Sequence, residues 1–206
     1  MVEKTDKCII LDLDETLVHT SEKSLPTGKA GLIKFQQNSS NLYIIDTASL
    51  DGNRIVIEKM WGHKRPHLKK FINFCFKRFV HVIIWSAGTD RYVKDIVNRV
   101  LCDIKCPHKV YTRKDCFTDE EGILTKPINY LTTNNQDLSR VNLNNTIIID
   151  DRTQNFRFDP NNGVKIPIYN PFNSKDEALL KLMHWCSSEE FSKSKDVRKL
   201  NKKNIF

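Results

Sequence analysis

Three short runs of this sequence share one design, an apolar stretch that stops at polar side chains. They are CIILDLD at 8–14, HVIIWSAG at 81–88 and NTIIIDD at 145–151. A short continuous apolar run bounded by polar residues reads as a strand buried on both faces. Such strands belong to parallel sheets with helices packed on each side. The intervening segments supply the helices. PHLKKFINFCFKRF (66–79) sets Leu68, Phe71, Ile72, Cys75, Phe76 and Phe79 at helical spacing, with Pro66 suited to a first turn. TDRYVKDIVNRVL (89–101) does the same with Tyr92, Val93, Ile96, Val97, Val100 and Leu101, and Thr89 can act as N-cap. SKDEALLKLMHWC (174–186) has Ser174 and Glu177 at capping-box spacing, and it follows a fourth strand, GVKIPIY at 163–169. The alternation predicts an α/β fold with a central parallel sheet.

One region departs from it. NLYIIDTASLDGNRIVIEKMW (41–61) reads as a β-hairpin around a DGN turn, inserted after the first strand. The expected organisation is a single domain over residues 1–191, with the insertion at about 41–61 and a basic tail over 192–206. That tail holds six Lys/Arg against Asp196, and residues 54–79 hold eight against Glu58. Basic patches attract polyanions, nucleic acid among them. No run approaches the ~18 apolar residues of a spanning helix, and the first residues lack the apolar core of a secretory signal. The six cysteines include no CxxC pair, which fits reduced thiols of a nuclear or cytoplasmic protein better than a disulfide framework. Cys102, Cys106 and His108 lack a second ligand pair at zinc-finger spacing, and His19 and His67 read as structural.

Ligands of open α/β sheets bind beyond the carboxyl ends of the strands. This chain offers Asp12, Asp14, Ser86, Asp150 and Asp151 there. Carboxylates gathered without cations repel one another, and a hard divalent ion such as Mg²⁺ resolves that conflict. A calcium loop starting at Asp12 is excluded, because Leu17 and Lys23 stand where an EF-hand needs glycine and glutamate. An ionised Asp12 is also a candidate nucleophile able to form an acyl-phosphate.

DLDETLVHT resembles the DxDx(T/V) signature of the haloacid dehalogenase (HAD) superfamily. Together with KRPHLKKF, WSAGTDRYV, YTRKDCF and IIIDDRTQNFRFDPNNGVKIPIY, it resembles the small C-terminal-domain phosphatases, also called NLI-interacting-factor-like phosphatases, over about residues 7–200. The resemblance implies a three-layer α/β/α HAD-like fold with a β-rich insertion after the first motif. It implies a Mg²⁺-dependent protein serine/threonine phosphatase with an aspartyl-phosphate intermediate. Asp12 matches the nucleophile and Asp14 the acid and then base; on an extended strand the two face the same side. Ser86 matches the hydroxyl that binds a phosphoryl oxygen, and Thr16 steadies the loop beside the substrate. Mg²⁺ is expected on Asp12, Asp150 and the carbonyl of Asp14, with Asp151 beside it. The family lysine corresponds to Lys126, with Lys114 as the alternative; the family usually continues with aspartate, where this chain has Pro127. Arg113, Ile55, Ile57 and Trp61 are the substrate-facing candidates. The implied substrate is phosphoserine in the heptad-repeat tail of RNA polymerase II or a related phosphoprotein. Two other readings remain: a nucleic-acid 3′-phosphatase, favoured by the basic patches, and a non-catalytic binding module, disfavoured by the retained aspartates.

Overall fold

A computed structural model describes residues 3–21, 39–51, 54–134, 138, 140–173 and 175–206, with the side chains of 39, 47–51, 54–58 and 132–134 outside the description. The apolar runs form strands at the expected places: β1 (Cys8–Leu11), β5 (His81–Trp85) and β9 (Thr146–Asp150). Counting also β6 (Lys109–Tyr111) and β10 (Gly163–Lys165), the sheet has five parallel strands in the order β10-β9-β1-β5-β6. The chain runs outward from β1 through β5 to β6, then returns to β9 on the other side. The strand order therefore reverses at β1–β9, the place where open sheets form a crevice at their carboxyl ends.

Alternate strand residues enter two cores. Ile9, Leu11, Val82, Ile84, Ile147 and Ile149 face helices α1 (Leu68–Arg78), α2 (Asp90–Ile96) and α4 (Ala178–Cys186). Cys8, Ile10, Ile83, Trp85 and Ile148 face α3 (Ile128–Asn134) and Phe156. This is the expected three-layer arrangement, with α5 (Glu189–Lys193) closing the first face through Phe191. Residues 192–206, read as a basic tail, do not trail away: Val197, Leu200 and Ile205 are buried in the first core.

Local details differ from the sequence reading. Helix α1 begins at Leu68, two residues late, because His67 sits in the left-handed region at φ 68°. Thr89 occupies the N-cap position of α2 without a side-chain bond, and α2 continues into a π-helical turn, Val97–Leu101. Helix α4 starts only at Ala178; Ser174 lies outside the described residues, and Asp176 instead accepts the Ala178 amide. Strand β10 is shorter than expected, as Pro167 has no N–H to extend the ladder. The cysteine reading also needs correction: Cys102 and Cys106 form a disulfide, while Cys8, Cys75, Cys116 and Cys186 are free. The turn after the π-helical segment brings the two Cα atoms to 4.2 Å, so the side chains can bridge although the spacing is not CxxC. The ring of His108 accepts the Val82 amide.

The insertion is larger than a hairpin. Strands β3 (Leu42–Asp51) and β4 (Arg54–Lys64) pair antiparallel, and β2 (Val18–Ser21) adds a third strand on β4. The Gly52–Asn53 part of the expected turn lies outside the described residues. The Tyr43 ring covers Gly62, where a Cβ would meet it at 2.0 Å. Gly62→Ala must displace that ring, and overpacking of this kind costs about 1–3 kcal/mol. A urea-unfolding midpoint should fall accordingly; an unchanged midpoint would mean that the ring is free to move away.

Candidate active site

The strand ends converge as the topology requires. Asp12 follows β1, Asp150 ends β9 and Asp151 follows it; all three are buried, with one carboxylate oxygen of each within 4.8 Å of the others. The Lys126 ammonium bridges two of them, 2.6 Å from Asp12 Oδ1 and 2.6 Å from Asp150 Oδ2. Lys126 arrives from β8 (Leu124–Thr125), which pairs with β7 (Phe117–Thr118). Pro127 fits this delivery: it restrains the preceding residue to extended backbone and opens α3 immediately after. The Lys126 amide donates to Asn155 O at 2.6 Å, which ties this segment to the loop after β9. Lys114, the alternative lysine, is exposed and paired with Asp90 at 2.9 Å.

Asp150 is held from several sides. Asn155 Nδ2 donates to both of its oxygens at 2.8 Å, and the Arg152 amide donates to Oδ1 at 2.9 Å. Sequence reasoning missed Asn155, which looks like one more polar loop residue in DDRTQNF.

Electrostatics follow from burial. Desolvation raises the Asp12 carboxyl well above the ordinary carboxylate value; Lys126 opposes this, while Asp150 and Asp14 add to it. Burial and the Asp150 charge push Asp151 up to about 6. Burial alone would lower the Lys126 ammonium, but Asp12 and Asp150 outweigh it and hold its pKa above the usual lysine value. Three clustered carboxylates thus face one ammonium. The donor set is all oxygen, without the sulfur or nitrogen ligands that zinc favours, and it fits a hard divalent cation.

Asp14 is placed differently. The chain turns sharply at Glu15, which adopts φ 55° and whose carbonyl accepts the Tyr169 amide at 2.7 Å. The Asp14 carboxyl is bonded outside the acidic trio: Ser86 Oγ lies at 3.4 Å and the Tyr92 hydroxyl donates to its Oδ1. Burial raises its pKa, against the lowering effect of the Tyr92 bond. Ser86 Oγ also accepts the Gly88 amide at 3.0 Å. Tyr92 is the second residue that sequence reasoning missed, since its place on α2 reads as ordinary core.

The substrate-facing candidates separate. Thr16 is fully buried, its hydroxyl 3.5 Å from Asp151 Oδ1 and its carbonyl accepting from Arg65 Nη1 at 2.9 Å. Trp61 is buried, its ring 5.7 Å from that of His19, so it packs within the insertion. Arg113 is exposed and donates to Ala87 O at 2.8 Å, just beyond Ser86. Ile55 and Ile57 lie on β4, but their side chains fall outside the described residues. Arg65, part of the basic patch in sequence, is instead fully buried and fixes the loop after Asp14. It forms a bidentate pair with Asp176 at 3.0 and 2.9 Å and donates to Pro167 O at 2.8 Å.

Known proteins share this fold. The fold matches the solved structure of Fcp1, an essential RNA polymerase II CTD phosphatase, with TM-score 0.58 and 16% identity, over 87% of this chain and 46% of that one. This chain therefore spans less than half of that structure. The CTD nuclear envelope phosphatase 1 homolog of Drosophila melanogaster is 26% identical over 200 residues, covering 97% of this chain and 73% of the fly protein. Phosphatase PSR1 of Saccharomyces cerevisiae is 28% identical over 201 residues, covering 96% of this chain and 39% of the yeast protein. CTD small phosphatase-like protein 3 of Caenorhabditis elegans is 30% identical over 197 residues, covering 93% and 57%. A family model described as NLI interacting factor-like phosphatase matches residues 7–198. The chain belongs to the NLI interacting factor-like phosphatase family.

Proposed function

We propose that this chain is a Mg²⁺-dependent protein serine/threonine phosphatase that works through an aspartyl-phosphate on Asp12. One observation carries the reading: Asp12, Asp150 and Asp151 cluster at the strand-order reversal with Lys126 between two of them. Asp12, Asp150 and the Asp14 carbonyl would hold the cation, with Asp151 orienting the set from beside it. When bound, Mg²⁺ supplies positive charge against the developing charge of the transferred phosphoryl group.

The chain's own groups perform the rest. A carboxylate oxygen of Asp12 attacks phosphorus as the bond from phosphorus to the serine oxygen breaks. Asp14 gives its proton to that leaving oxygen, and its raised pKa suits an acid. Water then attacks phosphorus as the bond to Asp12 breaks; Asp14 takes its proton, and inorganic phosphate departs. Lys126 aims Asp12 and offsets the repulsion between an anionic nucleophile and a dianionic ester. Ser86 Oγ, which accepts the Gly88 amide, would donate to a phosphoryl oxygen. Arg113, exposed beside Ala87, is the side chain proposed to meet the substrate's flanking residues.

The substrate class we favour is phosphoserine in the RNA polymerase II C-terminal domain or a related phosphoprotein, in the nucleus or cytoplasm. The names of the relatives support this choice. No helix among the described residues is long and apolar enough to cross a membrane.

A panel of phosphoserine peptides, including each phosphorylated serine of the polymerase repeat, and a 3′-phosphorylated oligonucleotide tests the reading. Peptide turnover that chelator abolishes and Mg²⁺ restores is expected. A cation at 100 times its dissociation constant should also stabilise the fold by about 2.7 kcal/mol, visible as a raised melting temperature. Full activity in chelator would remove the cation from the reaction, and turnover of the oligonucleotide alone would reassign the substrate to nucleic acid.

A further inference from the structure

Behind Asp14 runs a chain of hydroxyls for which the mechanism above has no use. The Tyr92 hydroxyl donates to Asp14 Oδ1. It lies 2.8 Å from Thr20 Oγ1, and Thr20 Oγ1 lies 2.7 Å from the Tyr43 hydroxyl. The chain therefore starts on β3 of the insertion, crosses β2 and ends at the carboxyl through α2. Each hydroxyl has one proton and can also accept. Tyr92 thus has Asp14 Oδ1 and Thr20 Oγ1 as acceptors for its one proton, and the charged carboxyl is the stronger of the two. Between Thr20 and Tyr43 either hydroxyl can donate.

The geometry leaves Tyr92 little freedom. A Cβ on Gly88 would lie 2.8 Å from its ring and 3.2 Å from Ser86 Oγ, so the loop carrying Ser86 presses directly on the ring. At the other end, the Tyr43 ring is seated on Gly62. Burial and the neighbouring Asp14 keep the Tyr92 phenol neutral well beyond the ordinary tyrosine value, so it remains a donor.

Asp14 has reason to need such a hold. It stands two residues from Asp12, and the Lys126 ammonium attracts it. A carboxyl turned toward that ammonium could not reach a leaving oxygen. A general acid acts only within hydrogen-bond reach of the atom it protonates, and displacement by about 1 Å can cost on the order of 10²-fold in rate. We propose that Tyr92, anchored through Thr20 by Tyr43 of the insertion, is the positioning residue that holds the Asp14 carboxyl on the leaving-group side of the site. The proposal rests on the phosphatase reading given above.

The leaving group provides a readout that a merely structural role would not move. A serine alkoxide must be protonated as it departs, whereas p-nitrophenolate leaves without a proton. The measurement is the rate of alcohol release in the first turnover, at saturating substrate and Mg²⁺, for a phosphoserine peptide and for p-nitrophenyl phosphate. For Tyr92→Phe, release from the peptide should slow by about tenfold or more, while nitrophenol release changes less than about threefold. Thr20→Val keeps the phenol and removes its anchor, so it should slow the peptide selectively by a smaller factor. It also keeps the test open if Tyr92→Phe does not fold. Equal slowing of both substrates by Tyr92→Phe, no slowing of either, or a change confined to KM overturns the positioning role. A selective loss in Tyr92→Phe with Thr20→Val unchanged overturns the anchoring by the insertion. A wild-type chain that turns over neither substrate overturns the phosphatase reading and this proposal together.

Discussion

Asp12→Asn is expected to reduce turnover of a phosphoserine peptide by about 10³-fold or more, because it removes the nucleophile. Asp150 is occupied by Lys126, Asn155 and the Arg152 amide, and Asp14 is bonded to Ser86 and Tyr92. An asparagine in place of Asp12 keeps shape and volume, so the fold should persist. It should even gain stability in chelator, since one buried charge is gone from a crowded acidic cluster. The variant thus separates chemistry from folding: activity lost, melting temperature kept or raised. Residual activity within about tenfold of the parent would assign the attack to water or to another group.

Lys126→Met should have the opposite balance. Lys126 is fully buried and bonded to both Asp12 and Asp150. Methionine matches the length of its stem but leaves two buried carboxylates without their cation. Breaking a buried ion pair from one side costs about 3–5 kcal/mol, so in chelator the variant should be destabilised by roughly that amount. Mg²⁺ should return part of the loss, because a divalent ion can neutralise the same oxygens. Activity should stay depressed by about 10²–10³-fold even at saturating Mg²⁺, the scale seen when one preorganised charge-stabilising group is removed from a site. Equilibrium unfolding with and without Mg²⁺, beside peptide turnover, checks both halves. A variant as stable as its parent in chelator, and as active, would show that Lys126 has no part in the charge balance of this cleft.

Much of this site could be read before any coordinates. Asp12 and Asp150 stand where unbroken apolar runs stop, and parallel strands at the centre of a sheet bring such ends together. Lys126 was legible only by resemblance, because the two-residue strands β7 and β8 before it carry no periodicity to place it. Tyr92 was hidden by its own pattern: a tyrosine on the apolar face of a helix reads as core, and its hydroxyl finds Asp14 from 78 positions away in the chain. Arg65 read as surface charge, yet its partner Asp176 is 111 residues distant, and that pairing with the Thr16 and Pro167 carbonyls offsets the cost of its burial. Trp61 pairs with exposed Ile44, on the face opposite core-facing Tyr43 and Ile45, and is buried there beside His19 of the third strand, which a two-stranded hairpin reading does not supply. The Cys102–Cys106 bridge depends on a turn after a π-helical segment, which sequence periodicity did not anticipate.

Trapping the covalent intermediate addresses the main claim most directly. Enzyme mixed with a radiolabelled phosphoserine peptide and quenched in acid within the first turnover should carry label on the peptide containing Asp12. That label should be released by hydroxylamine, as an acyl-phosphate is, and should be missing from Asp12→Asn. Label on any other residue, or full peptide turnover with no label on the enzyme at any time in the cycle, would contradict the account.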